Sequence, residues 1–530
     1  MFQRKANDEM SKSKNTSEKS NNVWNSYMAK CIEIYLLFLM VVYVLFCREG
    51  YVEYDIHKRN LFFAGSIFFT MASLVIVLLS MSEAKKGDWK KYFEKADLWM
   101  VGLFVSWGAG IFLCRDKSVT LWGDVYRYMG LVFMLLSVIT MWIISRYAKW
   151  TKLLSRVLLG VGAIIFVWQI LNFYYIDPLN WTFDGKYHFL MSTLGNLNQN
   201  ACFDVIVLAM AMAMFVLIEK GNEQKIIAAF LFVGYMAGIA TSSATYYLGI
   251  AIIFMVMFGY CLIHTKNLLK FWFQAVLFVF AALAQKLLYL ALGDQWVAID
   301  GITQMLFDVR TLLILVVLLA ILGILFWKCE SFFEQKGKLL LGIYIVLIAI
   351  VLVLGLGCFI YANTSGISAE DGGFFSHLVM NDMSGNARWL IWKCTIGMFA
   401  QEPIAQKLFG SGLSSYSTHI YEYYAEELMA VWGVENRLAD AHNVFLDMLA
   451  SSGIVGAVSY FGVSIHVLIQ SMKKVASQPA ALMAILTIPA WIAVGLVNAN
   501  LIVTTPLYFG LLGIFWSIVR TDNHKTEETV

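Results

Sequence analysis

The chain has 530 residues, of which 60% are hydrophobic, 15% aromatic and only 14% charged. Soluble chains carry about a quarter charged residues and under half apolar ones, so composition excludes a soluble multidomain protein and leaves a polytopic membrane protein. A net charge of +3, from 39 Lys plus Arg against 36 Asp plus Glu, gives no argument for a nucleic-acid partner.

Residues 1–30 are polar and rich in Ser, Asn and Lys, which predicts a disordered cytoplasmic tail and not a signal peptide. A bilayer core of about 30 Å takes about 20 apolar helical residues. That ruler divides the rest into about 14 transmembrane helices (12–14), all-α: roughly 28–47, 61–81, 96–113, 128–145, 153–173, 200–218, 225–240, 246–263, 268–290, 311–327, 339–361, 442–471, 480–497 and 501–519. Two apolar stretches are each long enough for a pair of helices. Ile226 to Ile263 turns at Thr241-Ser242-Ser243-Ala244-Thr245, and Val475 to Val519 turns near Asn498-Ala499-Asn500. The first eleven spans fill residues 31–361, the last three fill 442–519, and 520–530 form a second tail. With the Lys-rich tail inside, two thirds of the basic residues fall on the cytoplasmic side, which puts both termini there. The eight cysteines, Cys31 to Cys394, show no CxxC spacing and read as small apolar residues.

Residues 362–441 form a long external loop before the last three spans, with nine Asp plus Glu, four Lys plus Arg and eleven aromatics. Loops of this length are functional more often than mere connectors. Arg388 and Trp392, four apart, share one face of an amphipathic helix, which suits either an interfacial helix or a packed cap helix without chemistry.

Four elements concentrate polar groups at the external side. In Gly195-Asn196-Leu197-Asn198-Gln199-Asn200 one Asn suffices as a helix cap, and Asp204 follows Asn200 by four residues, a carboxylate entering the membrane. The hydroxyls of Thr241 to Thr245, with Tyr246 and Tyr247, suit local backbone bonds. Arg388, Lys393 and Arg437, with Lys407, supply cations to the long loop; an Arg fork binds phosphate bidentately. In Asp440-Ala441-His442-Asn443, a carboxylate beside His442 would raise its basicity toward a hydroxyl. No cytoplasmic segment is large enough for a nucleotide fold and no glycine-rich phosphate loop is present, which argues against nucleotide-fuelled work inside the cell; if the protein is an enzyme, its expected substrates are lipids or lipid-linked molecules met at the outer face.

The order of these motifs resembles the O-antigen ligase and polysaccharide polymerase superfamily. Gly195 to Ala201 is similar to its Gly-Asn-x-Asn turn, and Arg388-Trp389-Leu390-Ile391-Trp392 to its Arg-x-x-x-Trp loop helix. Glu402-Pro403, then Gly410-Ser411-Gly412, resemble its Pro and Gly-x-Gly turn. Ala441-His442-Asn443-Val444-Phe445-Leu446 and Gly453-Ile454-Val455-Gly456 resemble its His-Asn-x-x-Leu and Gly-Ile-x-Gly. The likeness covers about residues 190–520. It implies a C-type membrane glycosyltransferase, inverting and needing no metal or other cofactor. The enzyme would take an undecaprenyl diphosphate-linked glycan donor and pass the glycan to a glycan or lipid acceptor outside the bacterial cytoplasmic membrane.

In that reading Arg388 and His442 are catalytic. His442 orients or deprotonates the acceptor with Asp440 or Glu435 beside it. Asn196, Asn198, Asn200, Asp204, Lys393, Arg437, Asp440, Asn443 and Trp392 bind substrate. Members carry an Arg where Ala244 stands, so the charge is expected from Lys286, Arg310 or Arg437, or else the enzyme is altered or inactive. Two alternatives remain open: a transporter or flippase of lipid-linked sugars, with its polar groups near the bilayer midplane, and a metal-dependent transferase using Glu53, Asp55 and His57.

Overall fold

The computed structural model describes residues 23–83, 93–125, 127–181, 190–219, 221–293, 298–368, 370–433 and 437–520. The helices in chain order are α1 (Val23–Tyr43), α2 (Tyr54–Glu83), α3 (Leu98–Leu113), α4 (Lys117–Trp122), α5 (Leu131–Tyr147), α6 (Lys152–Phe173), α7 (Leu197–Leu217), α8 (Asn222–Ala240), α9 (Ala244–Ile263), α10 (Leu268–Leu292), α11 (Gly301–Phe307), α12 (Val309–Lys328), α13 (Glu330–Thr364), α14 (Arg388–Gln401), α15 (Ile404–Phe409), α16 (Tyr416–Trp432), α17 (Val444–Lys474), α18 (Leu482–Val494) and α19 (Thr504–Arg520). One two-residue hairpin, Leu190–Met191 with Gly195–Asn196, pairs antiparallel ahead of α7. The protein is an all-α polytopic membrane protein.

Eleven helices among the described residues are long and apolar enough to cross a bilayer. Three further expected spans coincide with the shorter helices α5, α18 and α19. Helix α1 starts at Val23, inside the stretch read as a tail, whereas residues 1–22 lie outside the described residues.

Helix α7 is the mast of the bundle: every residue from Gln199 to Val216 is buried, against α6, α8, α9, α18 and α19. Its run of Ala, Met and Val lets neighbouring backbones approach from all sides, as small residues do between membrane helices. The α3/α17 crossing uses the same device, with Gly102 against Ser459 and Gly456 against Ser106. Helices α12 and α13 instead expose Leu, Ile and Val along most of their length, the surface that lipid tails solvate.

Helix ends leave carbonyls without intrahelical partners. Here lysines from neighbouring helices meet several of them. Lys58 Nζ donates to Tyr43 O and Val44 O at 2.7 and 3.0 Å, Lys270 Nζ to Val216 O and Ile218 O at 2.6 and 2.9 Å, and Lys474 Nζ to Val519 O at 2.5 Å.

Candidate active site

The long loop folds into α14, α15 and α16, which dock on the first turns of α17. Helix α14 buries Leu390, Ile391, Cys394, Thr395 and Met398 at i, i+3, i+4 spacing, packing on Tyr416, Ile420 and Leu428 of α16 and on Leu438, Ala441 and Ala450. Thr395 Oγ1 and the Tyr416 hydroxyl are 2.7 Å apart, and Trp392 Nε1 donates to Ala441 O at 3.1 Å. Trp392 therefore ties α14 to the segment that enters the membrane. Arg388 opens α14 after two left-handed residues, Asn386 (φ 58°) and Ala387 (φ 61°), and its Nε has no hydrogen-bond partner. Burial works to lower its pKa and Asp440 to raise it; a guanidinium stays charged either way.

Asp440 is the hinge of the site and is 4% exposed. Its Oδ1 accepts the His442 backbone N–H at 2.8 Å and faces His442 Nδ1 at 3.0 Å, while its Oδ2 accepts Arg127 Nε at 2.5 Å. Burial alone would raise the Asp440 pKa, but Arg127 and His442 outweigh it and hold the carboxyl well below the usual carboxylate range. Asp440 reciprocally raises the pKa of Arg127, to which Asp55 at the start of α2 also contributes. With Nδ1–H given to Asp440, His442 presents Nε2 as an acceptor, and its side chain is 33% exposed. His442 also sits at φ 46°, a conformation costing a non-glycine residue about 1–3 kcal/mol and persisting only where the surroundings over-determine it. Asp440 clamps it on one side. On the other, Asn443 caps α17, its Oδ1 accepting the N–H groups of Phe445 and Leu446 at 2.9 and 3.1 Å and its Nδ2 donating to Leu496 O at 3.0 Å.

Below this triad, a small cleft is lined by Arg127, Asp440, Asp447, Ser414, Ser451 and Asn500. Asn500 accepts a hydrogen bond from the Tyr460 hydroxyl at 2.7 Å, and its buried Nδ2 has no partner. Beside the cleft, the contact between the loop and α17 depends on glycines. Helix α17 breaks at Gly453 (φ 63°), and Gly410 (φ 82°) lies against it: a Cβ on Gly410 would meet Ser451 O at 2.2 Å, and one on Gly453 would meet Leu408 C at 2.4 Å. The break frees two carbonyls of α17, which the loop satisfies, Ser411 N to Ala450 O and Gly412 N to Ser451 O, both 3.1 Å.

The asparagine motif ahead of α7 lies elsewhere in the fold and is spent internally. Asn196 caps α7 by accepting Asn198 N at 2.8 Å. Asn200, fully buried, accepts from Gln169 Nε2 and Ser192 Oγ and donates to Met191 O, Gly195 O and Asn196 O. Asp204, two turns inside α7, accepts Gln169 Nε2 at 3.0 Å with its second oxygen unpaired. Asn198 accepts from Ser243 Oγ at 2.8 Å and Thr245 Oγ1 at 3.4 Å, and Asn498 Nδ2 donates to Thr245 Oγ1 at 2.8 Å. Around Ala244, then, the hydroxyls bond neutral amides and, at Ser242, the Asp300 carboxylate, with Oγ 3.4 Å from Oδ1. The cation on Asp440 is Arg127, from the loop between α3 and α5.

Lys393 pairs with Asp382 at the surface, and the Arg437 guanidinium lies 5.8 Å from the Tyr421 ring centre. Glu435 lies outside the described residues. Among the described residues no three His, Cys, Asp or Glu side chains gather as a metal set, Glu53, Asp55 and His57 included. Near α15, Glu402 and His419 are both buried, with Nε2 3.8 Å from the carboxylate. Burial pushes Glu402 up to about 7 against the pull of Lys407.

The family model described as O-antigen ligase matches residues 296–461, the stretch from just ahead of α11 into α17. No curated protein matches the chain.

Proposed function

From an O-antigen ligase domain within a multi-pass membrane protein, we propose that the chain is an inverting glycosyltransferase. It takes glycans from an undecaprenyl diphosphate-linked donor and joins them to a glycan or lipid acceptor at the outer face of the cytoplasmic membrane, for cell-surface polysaccharide. The observation that carries this reading is the chain Arg127–Asp440–His442 with Arg388 facing the same carboxylate.

In the reaction the acceptor hydroxyl gives its proton to His442 Nε2, and its oxygen attacks the anomeric carbon opposite the diphosphate. The new glycosidic bond forms as the anomeric carbon–phosphate oxygen bond breaks, and the electron pair leaves on the lipid diphosphate, so configuration inverts. Asp440 holds the imidazole in the needed tautomer and stabilises the imidazolium, which is a positioning role. Arg388, with an unpaired Nε beside the site, meets the charge developing on the diphosphate. Arg388, Asp440 and His442 lie ahead of α17, at one end of a candidate span, which supports transfer at a membrane face over carriage through it. Purified protein incubated with lipid-linked glycan and acceptor tests the reading. Wild type should convert donor to a joined glycan of inverted anomeric configuration, and retention of configuration would sink the mechanism.

A further inference from the structure

At the bundle end opposite His442, the start of α6, the end of α7, the start of α8 and the start of α18 enclose a cavity of about 210 Å³. Its floor is apolar, formed by residues such as Leu159, Met214, Ile227 and Met483, and its mouth carries Lys152, Arg156 and Glu223. An apolar cavity of about 150 Å³ already admits a benzene-sized group. This one accommodates a stretch of acyl chain, and its floor offers no convergent polar groups to a sugar. The mouth is cationic: two basic side chains stand against one carboxylate. Arg156 Nη2 reaches Glu223 only at 4.0 Å, and both are well exposed at 74% and 62%, so the pair is weak and its guanidinium remains available.

We propose that this cavity is a binding site for an anionic phospholipid, with an acyl chain on the Leu159/Met483 floor and the headgroup phosphate between Lys152 and Arg156. The net single positive charge of the mouth matches a headgroup of net charge −1 and leaves a zwitterionic one uncompensated, and basic pockets between membrane helices are where acidic headgroups lodge. The site shares no residue with the Asp440 cleft and stands independently of the transfer reaction.

Full-length protein in mild detergent, equilibrated with equal phosphatidylglycerol and phosphatidylcholine, is measured by native mass spectrometry for retained lipid. Phosphatidylglycerol should be retained preferentially, and Lys152→Gln and Arg156→Gln should each cut that preference about fivefold, the effect of one basic side chain near an anionic surface. Lys149→Gln, a basic neighbour outside the cavity, should leave it unchanged. Equal retention of both lipids by the wild type overturns the proposal. So does an unchanged preference in Lys152→Gln/Arg156→Gln, or an equal loss in Lys149→Gln, which marks diffuse surface charge.

Discussion

Arg127 and Asp440 are 313 residues apart in the chain and 2.5 Å apart in space. A buried carboxylate stripped of its cation costs about 3–5 kcal/mol. Arg127→Ala should therefore both abolish transfer and lower thermal stability by that order. Adding Asp440→Asn should restore most of the stability and none of the activity; thermal melts and a lipid-linked glycan assay read the two separately. A double variant as unstable as the single would show that the ion pair is not what Arg127 contributes.

His442→Gln keeps a side chain of similar reach and removes the base. General-base catalysis is worth about 10²–10⁴ in rate, so kcat should fall at least a hundredfold with donor KM little changed. A rate within tenfold of wild type would remove His442 from the chemistry.

Asn443 was expected on substrate, and its bonds are those of a helix cap. Asn443→Ala should cost about 1 kcal/mol in stability, and Asn443→Ser or Asn443→Asp should recover most of it, because these residues cap equally well. If the stability of Asn443→Ala equals wild type while donor KM rises, the substrate role is the right one.

Glu402 carries a pH signature. Its folded-state pKa, pushed up to about 7 by burial, lies above the unfolded value of about 4.3. The folded state therefore retains the proton longer, and its stability falls as pH rises from about 4.3 through 7. Asp440, held below the usual range, behaves oppositely: its contribution is present above about pH 4 and lost only in stronger acid. Glu402→Gln should raise the melting temperature at pH 8 and leave it nearly unchanged at pH 5. A constant difference between variant and wild type at the two pH values contradicts this.

Gly410→Ala and Gly453→Ala each place a Cβ within 2.5 Å of backbone at positive φ. Each should destabilise the loop–α17 junction by more than about 2 kcal/mol, seen as protease sensitivity near residues 404–416. Wild-type resistance in both would show that the junction relaxes freely.

Much of this architecture was legible because membrane helices announce themselves by length and hydropathy: the fourteen expected spans coincide with helices, even where uncharged turns alone divide continuous apolar runs. The loop helix of Arg388 and Trp392 and the Asp440–His442 neighbourhood were legible too, since local spacing carries them. Arg127 was not. It stands in an unremarkable short loop, and only the three-dimensional closure of α3, α5 and α17 brings it to Asp440. The asparagines misled in the other direction. Gln169, Ser192, Ser243 and Asn498, which occupy the amides of Asn198 and Asn200 or their partners, come from distant segments that no local pattern ties to that motif. Gly410 and Gly453 were read as family punctuation, and their meaning as mutual contacts needs both chain segments in view.

The lysine that meets the carbonyls of Tyr43 and Val44 has a consequence for the molecule's outward field. Lys58 is 1% exposed, and Arg127 at the same end is absorbed by Asp440. Lys58, spent on two backbone carbonyls, is thus withheld from lipid headgroups at the rim, and Arg127 meets them only with Asp440 beside it, as a pair without net charge.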